Sequence, residues 1–176
     1  MSPITGQKFP CRKCWNCKQF RIYQWNFRLK VEASQATRTW FCTFTIRGTP
    51  PTPKKATSLW QKYMKALRMT RSDVNFRYFA VVELGSTNGR THLHALIFCS
   101  ADIGRRVLES PWKHGFSNAK LCRPKHLSYV SKYVTKASVR KLASLRLGFR
   151  TLPPSSDFDT LPNWYIQQYR RLNRLK

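Results

Sequence analysis

Two runs dense in apolar and β-branched residues, Phe76 to Leu84 and Thr91 to Phe98, are separated by the turn-rich link Gly85-Ser86-Thr87-Asn88-Gly89-Arg90. Such a link suits a reversal, so the runs read as the two arms of a β-hairpin. The second arm carries His92-Leu93-His94 ahead of Ala95-Leu96-Ile97-Phe98. Residues i and i+2 of a strand leave the same face, so both imidazoles stand side by side on one side of a sheet. A strand presents a metal in this way; the plainer alternative is a pair of histidines facing solvent.

A metal needs more than two imidazoles, and acids are scarce in this chain. Glu83 lies nine residues before His92, near the end of the partner arm, where hairpin geometry brings its carboxylate beside the rings. Among Val81, Val82 and Leu84 a charge is otherwise a liability. Two nitrogens and one oxygen leave coordination positions open, which marks a catalytic site more than a structural one. The mixed set suits Mn²⁺ or Mg²⁺ engaged with phosphate, with Zn²⁺ as a third candidate. The competing reading is that Glu83 ends its strand and pairs with Arg90.

Pro124 opens a helix, since proline is tolerated in a first turn. At 100° per residue, Leu127, Val130 and Val134 share one arc, the side that should face the core. Tyr129, Lys132, Tyr133 and Lys136 occupy the opposite arc, as two overlapping copies of one pattern, Tyr129-Val130-Ser131-Lys132 and Tyr133-Val134-Thr135-Lys136. A phenol with a pKa of about 10 is a poor nucleophile at neutral pH and needs a polarised electrophile or local positive charge. A metal at Glu83, His92 and His94 would polarise a scissile phosphate. Lys132 and Lys136 would lower the phenol pKa or stabilise charge on the phosphorane. Without the histidines, the same arc reads as an outer helix face that stacks on bases.

The remaining chain supplies the frame. From Lys18 to about Ser34 no Gly or Pro interrupts a helical pattern with two nearly opposite apolar seams: Phe20, Tyr23, Phe27, Val31, and Ile22, Trp25, Leu29. Such a helix is either covered twice or binds something with one side. Thr39 to Ile46 reads as a buried strand, Ala56 to about Met69 as a helix, Ile103 to Glu109 as a short helix and Phe116 to Leu121 as a weak strand. Pro153, Pro154, Ser155 and Ser156 mark a loop, and Trp164 to about Leu175 a basic helix. The order predicts an α+β fold, an antiparallel sheet backed by helices on one face.

Thirty-three Lys and Arg against seven Asp and Glu give a net charge of +26, spread along the whole length. Such a surface repels itself unless a polyanion neutralises it, so nucleic acid is the expected partner. Arg90 and Lys125 are candidate contacts. An anionic membrane is disfavoured, because the sequence has no run of about 18 apolar residues, no signal peptide and no lipidation motif. The expectation is a cytosolic protein whose six cysteines are thiols or metal ligands. Cys11, Cys14 and Cys17 could fill three corners of a structural Zn²⁺ site, with Cys122, His114 and His126 as candidates for the fourth; an iron–sulfur cluster is the less favoured use. Cys42 and Cys99 read as small core residues.

His92-Leu93-His94 resembles the histidine, hydrophobic, histidine motif of the HUH endonucleases. The Tyr129 to Lys136 segment looks like their tyrosine-lysine motif in its two-tyrosine form, and Phe41 to Thr45 is similar to the upstream strand motif of replication initiators in that superfamily. Within it, the chain most resembles the replication initiation proteins of microviruses, small single-stranded DNA bacteriophages of the gokushovirus-like group. There too a Cys-x-x-Cys-x-x-Cys stretch precedes a helix, a segment like Glu83-Leu84-Gly85 precedes the histidines, and one like Trp112 to Phe116 follows them.

The resemblance, from about Cys11 to Lys136, implies a five-stranded antiparallel sheet of RNA-recognition-motif-like topology with Glu83, His92 and His94 as metal ligands. Tyr129 and Tyr133 would be the nucleophiles of rolling-circle initiation: nicking of one strand at the phage origin, a 5′-phosphotyrosine intermediate, and rejoining of the displaced strand. On this view residues 1–17 form a cysteine segment of the single domain, 18–150 the endonuclease domain, and 151–176 a loop and basic helix. With no helicase motif and no Walker A loop, unwinding and synthesis fall to a host helicase and DNA polymerase in the bacterial cytoplasm. The alternatives are a non-catalytic single-stranded nucleic-acid-binding module and an HUH transposase or relaxase.

Overall fold

The computed structural model describes residues 11, 13–48, 52–84, 91–136, 139–149 and 161–174. The hairpin arms form as β2 (Phe76–Leu84) and β3 (Thr91–Cys99), antiparallel, with Glu83 opposite His92 and Val81 opposite His94. Their link, Arg90 included, lies outside the described residues, as does the loop at Pro153 to Ser156. On the far side of β3 lies β1 (Arg38–Thr45), with Thr43 opposite His94. β4 (Ser117–Leu121) adds to β1, and a fifth strand, β5 (Arg140–Ala143), adds to β2. The order β4-β1-β3-β2-β5 is antiparallel throughout. With α2 (Pro53–Thr70) between β1 and β2, and α3 (Arg105–Glu109) between β3 and β4, the first four strands follow the β-α-β-β-α-β plan.

Helices cover both faces of the sheet, not one. The reason is that β3 is apolar on both sides. Leu93, Ala95, Ile97 and Cys99 pack with Ala56, Trp60, Tyr63, Met64 and Leu67 of α2 and Leu108 of α3. Leu96 and Phe98 pack the other way, with Phe79 and Val81, under α1 (Trp15–Gln35) and α4 (Pro124–Lys132). His92 and His94 share the parity of Leu96 and Phe98. They therefore sit where the α1 and α4 layer stops short of the end of the strand.

Helix α1 is covered twice. Leu29 is fully buried against the sheet, and Trp25 lies 4.7 Å from the Phe79 ring. Phe27 and Val31 pack on Tyr165 of α5 (Asn163–Asn173), with Trp164 edge-on to Phe27. Glu32, buried between these layers, is held by the Arg77 guanidinium of β2 and by the Gly148 N–H at 2.6 Å. Gly148 has φ +71°, and a Cβ there would stand 2.4 Å from the Arg28 carbonyl oxygen, so only glycine lets that N–H approach.

The segment Trp112 to Phe116 is an anchor for the end of β1. Trp112 Nε1 donates to the Thr45 carbonyl at 3.1 Å, and the Thr45 N–H donates to Phe116 O at 2.8 Å. A Cβ on Gly115 would meet that same Thr45 oxygen at 2.2 Å. This close approach explains the glycine in the motif.

Candidate active site

Helix α4 ends at Lys132 and tightens into a single 3₁₀ turn, Tyr133–Thr135. Its tyrosines do not face outward as the arc predicts. Tyr133 is 6% exposed and packs with Val130, Val134, Val81 and Leu96, whereas Tyr129 is 40% exposed. Val130 and Tyr133 are i, i+3 neighbours, so the buried arc widens by one position and draws Tyr133 onto the sheet. Both rings thereby meet the histidine face. Tyr129 is edge-on to His94 at 5.6 Å, and Tyr133 lies 6.2 Å from it.

The two phenol oxygens are 2.6 Å apart. Desolvation pushes the Tyr133 phenol well up, aided by its hydrogen bonds with Tyr129 and Glu83. The lysines therefore do not hold Tyr133 low. Lys136 pairs with Glu83 at 3.1 Å and sits 4.3 Å over the Tyr133 ring, while Lys141 of β5 donates to the Lys136 carbonyl at 2.7 Å. His94 Nδ1 lies 3.3 Å from Thr43 Oγ1, its partner in register. Burial lowers the His94 pKa, with Glu83 opposing and His92 adding, and this favours the neutral ring that a metal requires.

Glu83 Oε2 and His94 Nε2 are 3.9 Å apart, and the His92 ring is parallel to that of His94 at 6.3 Å between centroids. One carboxylate and two imidazoles on one face fit a divalent ion as a donor set. Closing the set requires His92 to turn about its side-chain bonds and Lys136 to yield its place on Glu83. Among the described residues, the only three His, Cys, Asp or Glu donor atoms already within 4.8 Å of one another belong to Cys11, Cys14 and Cys17.

Those thiols gather at the start of α1, where Cys14 is the N-cap and its sulfur accepts from Cys17 N–H. The Cys14 N–H, foremost, and the Cys14 thiol pull Cys11 down to about 6. None of the three candidate fourth ligands joins them. His114 is edge-on to Trp112, Cys122 is half-buried after β4, and His126 is engaged at the start of α4. Cys42 and Cys99 are buried, as expected.

Beside Tyr129 an open depression of about 660 Å³ is lined by Phe41, His94, Lys125, His126, Ser128, Tyr129 and Lys132. Lys125 and Lys132 thus stand on one rim. The contributions of Phe41, Thr43 and His126 are hidden in the sequence. The alternation of β1 carries the signal for the first two, since Phe41 and Thr43 share a parity opposite to the buried Cys42 and Phe44.

The family model for the replication-associated proteins named after ORF2 matches residues 39–138, more than half of the chain. The chain belongs to this family. The matched stretch holds Glu83, His92, His94, Tyr129 and Tyr133 and excludes the three clustered cysteines. The chain is also similar to "Replication-associated protein ORF2" of Spiroplasma virus 4, at 24% identity over 158 residues. That match covers 76% of this chain and 49% of the relative, so the chain spans about half of that protein's length. Among solved structures, the hypothetical protein ORF119 from Sulfolobus islandicus rod-shaped virus 1 is similar at a TM-score of 0.43 and 19% identity, over 62% of this chain and 89% of that one. No helix among the described residues is long and apolar enough to cross a membrane.

Proposed function

We propose that this chain is a viral replication initiator of the HUH type that nicks single-stranded DNA through a 5′-phosphotyrosine intermediate. The observation that carries the reading is the convergence of Glu83, His94 and two hydrogen-bonded tyrosines from β2, β3 and α4 onto one sheet face. Binding alone requires no such convergence. A microvirus source, action at a phage origin in the bacterial cytoplasm, and reliance on a host helicase and polymerase belong to the same proposal.

Tyr129 is the exposed phenol and serves as the first nucleophile. Its oxygen bonds to phosphorus as the P–O3′ bond breaks, and the 3′ oxygen leaves as a hydroxyl after taking a proton from water. The phenol proton passes to Tyr133, which in turn donates to Glu83. Glu83, His92 and His94 would hold Mn²⁺ or Mg²⁺, which supplies Lewis acidity at the non-bridging oxygens. Lys132 stands on the substrate side, where it can neutralise charge on the phosphorane. Lys136 braces Glu83 and Tyr133.

The test is incubation with labelled single-stranded DNA containing the cognate origin and Mn²⁺, followed by denaturing electrophoresis. A denaturation-resistant adduct is expected with the native chain and not with a Tyr129→Phe/Tyr133→Phe double variant. Adduct surviving in the double variant, or never forming, overturns the reading. His92→Ala should abolish cleavage while DNA affinity holds; a parallel collapse of affinity would assign His92 to binding.

Cys11, Cys14 and Cys17 would hold Zn²⁺ as three thiolates with one position open. In metal-free protein at pH 7, Cys11 should be alkylated first, because its thiol lies near 6 while burial raises Cys42, Cys99 and Cys122. Its labelling should fall as the pH drops through about 6, and Zn²⁺ should protect it. Equal labelling of all six cysteines, or no protection, would count against the site.

A further inference from the structure

Three aromatic rings run parallel across the histidine face. Phe41 lies between His94, at 6.0 Å and 4°, and His126, at 4.6 Å and 12°. Tyr129 meets Phe41 edge-on at 6.0 Å and 90°, so its phenol borders the depression that these rings floor. A phosphodiester brought to Tyr129 carries its neighbouring nucleoside into that space. The volume of about 660 Å³ falls in the range of small-ligand sites, and Lys125 and Lys132 supply cations at the rim.

His126 is fixed chemically as well as sterically. Its Nδ1 accepts from the Arg123 N–H at 2.9 Å, so Nδ1 bears no proton and the neutral ring carries its hydrogen on Nε2. Desolvation, then Lys125, Arg123 and Lys120, lowers its pKa and holds the ring neutral at pH 7. The ring therefore offers one donor in a set direction. A stacked ring with one directed donor grips any base by its face and selects among bases by their acceptors.

We propose that this depression is a nucleobase subsite: the base adjoining the attacked phosphate stacks on the Phe41 and His126 rings and accepts a hydrogen bond from His126 Nε2. Lys125 and Lys132 take the flanking phosphates. The inference rests on the reading of Tyr129 as the DNA-attacking phenol, but its test needs no chemistry.

The full chain is kept in chelator, so that no cleavage occurs, and is irradiated with single-stranded DNA bearing 5-iodouracil at successive positions. Cross-linked peptides are then mapped by mass spectrometry. Cross-links to Phe41 or His126 are expected. In parallel, fluorescence anisotropy with short homopolymers of each base compares the native chain with Phe41→Leu and His126→Phe. Phe41→Leu should weaken binding to all of them by about tenfold, the weight of one lost stack. His126→Phe keeps the ring and removes the donor, so binding should stay within about threefold while the preference among bases flattens. Cross-links confined to other residues, or an unchanged base preference in His126→Phe, overturn the subsite. Cross-links at Phe41 or His126 in a protein that forms no adduct would leave the subsite standing and remove the nickase.

Discussion

Tyr129→Phe is expected to eliminate the first covalent adduct, with a loss of about 10⁴-fold or more, the scale of removing a nucleophile. Tyr133→Phe should still form that adduct, slowed by about tenfold, the weight of a single hydrogen bond of ~1.4 kcal/mol. The asymmetry follows from burial. Tyr129 is 40% exposed at the mouth of the depression, whereas Tyr133 is 6% exposed and its phenol is pushed up by desolvation. Tyr133 can attack only after the helix end shifts or the site is remade around the first adduct, so the second strand transfer should be the step its loss abolishes. Single-turnover cleavage of a labelled origin oligonucleotide measures the first step. Equal loss in both single variants would assign the tyrosines interchangeable roles and sink this ordering.

Glu32→Ala should cost about 3–5 kcal/mol, because it strands the Arg77 guanidinium in a largely buried place. The Gly148 N–H also loses its acceptor. Replacing both ionic partners, as Glu32→Leu/Arg77→Met, should recover part of the loss by removing the unpaired charge, while leaving the Gly148 N–H unsatisfied. Urea denaturation of the native, single and double variants measures both effects. A single variant within about 1 kcal/mol of the native protein would show the pair to be solvated in practice.

The period-2 features of the chain are legible in its sequence. The link between β2 and β3 sets the hairpin, the hairpin sets the partner of His92, and counting back places Glu83 opposite it, as the register shows. The double seam of α1 is legible for a related reason, since each seam finds a cover. Features that depend on meetings between distant segments are not. β5 reads Arg-Lys-Leu-Ala, with no alternation to mark a strand, and it forms because β2 leaves an edge to be paired. Tyr133 reads as an outer-face residue because a helical wheel carries no knowledge of how wide a sheet it rests on. His126 reads as a metal ligand, yet a backbone N–H three residues away claims one of its nitrogens. The pairing of Glu32 with Arg77 spans 45 residues and has no local signature.

The family match ends at residue 138, yet the last hydrogen bond to Glu32 comes from Gly148, and the Tyr165 hydroxyl donates to the Gly148 carbonyl at 2.8 Å. One glycine thus joins α1, ahead of the matched stretch, to α5, beyond it. A fragment cut to the family boundaries would keep every metal-binding and nucleophilic side chain of the candidate site and lose the helix that roofs it. Catalytic completeness and folding completeness are set by different lengths of this chain, and the longer one belongs to folding.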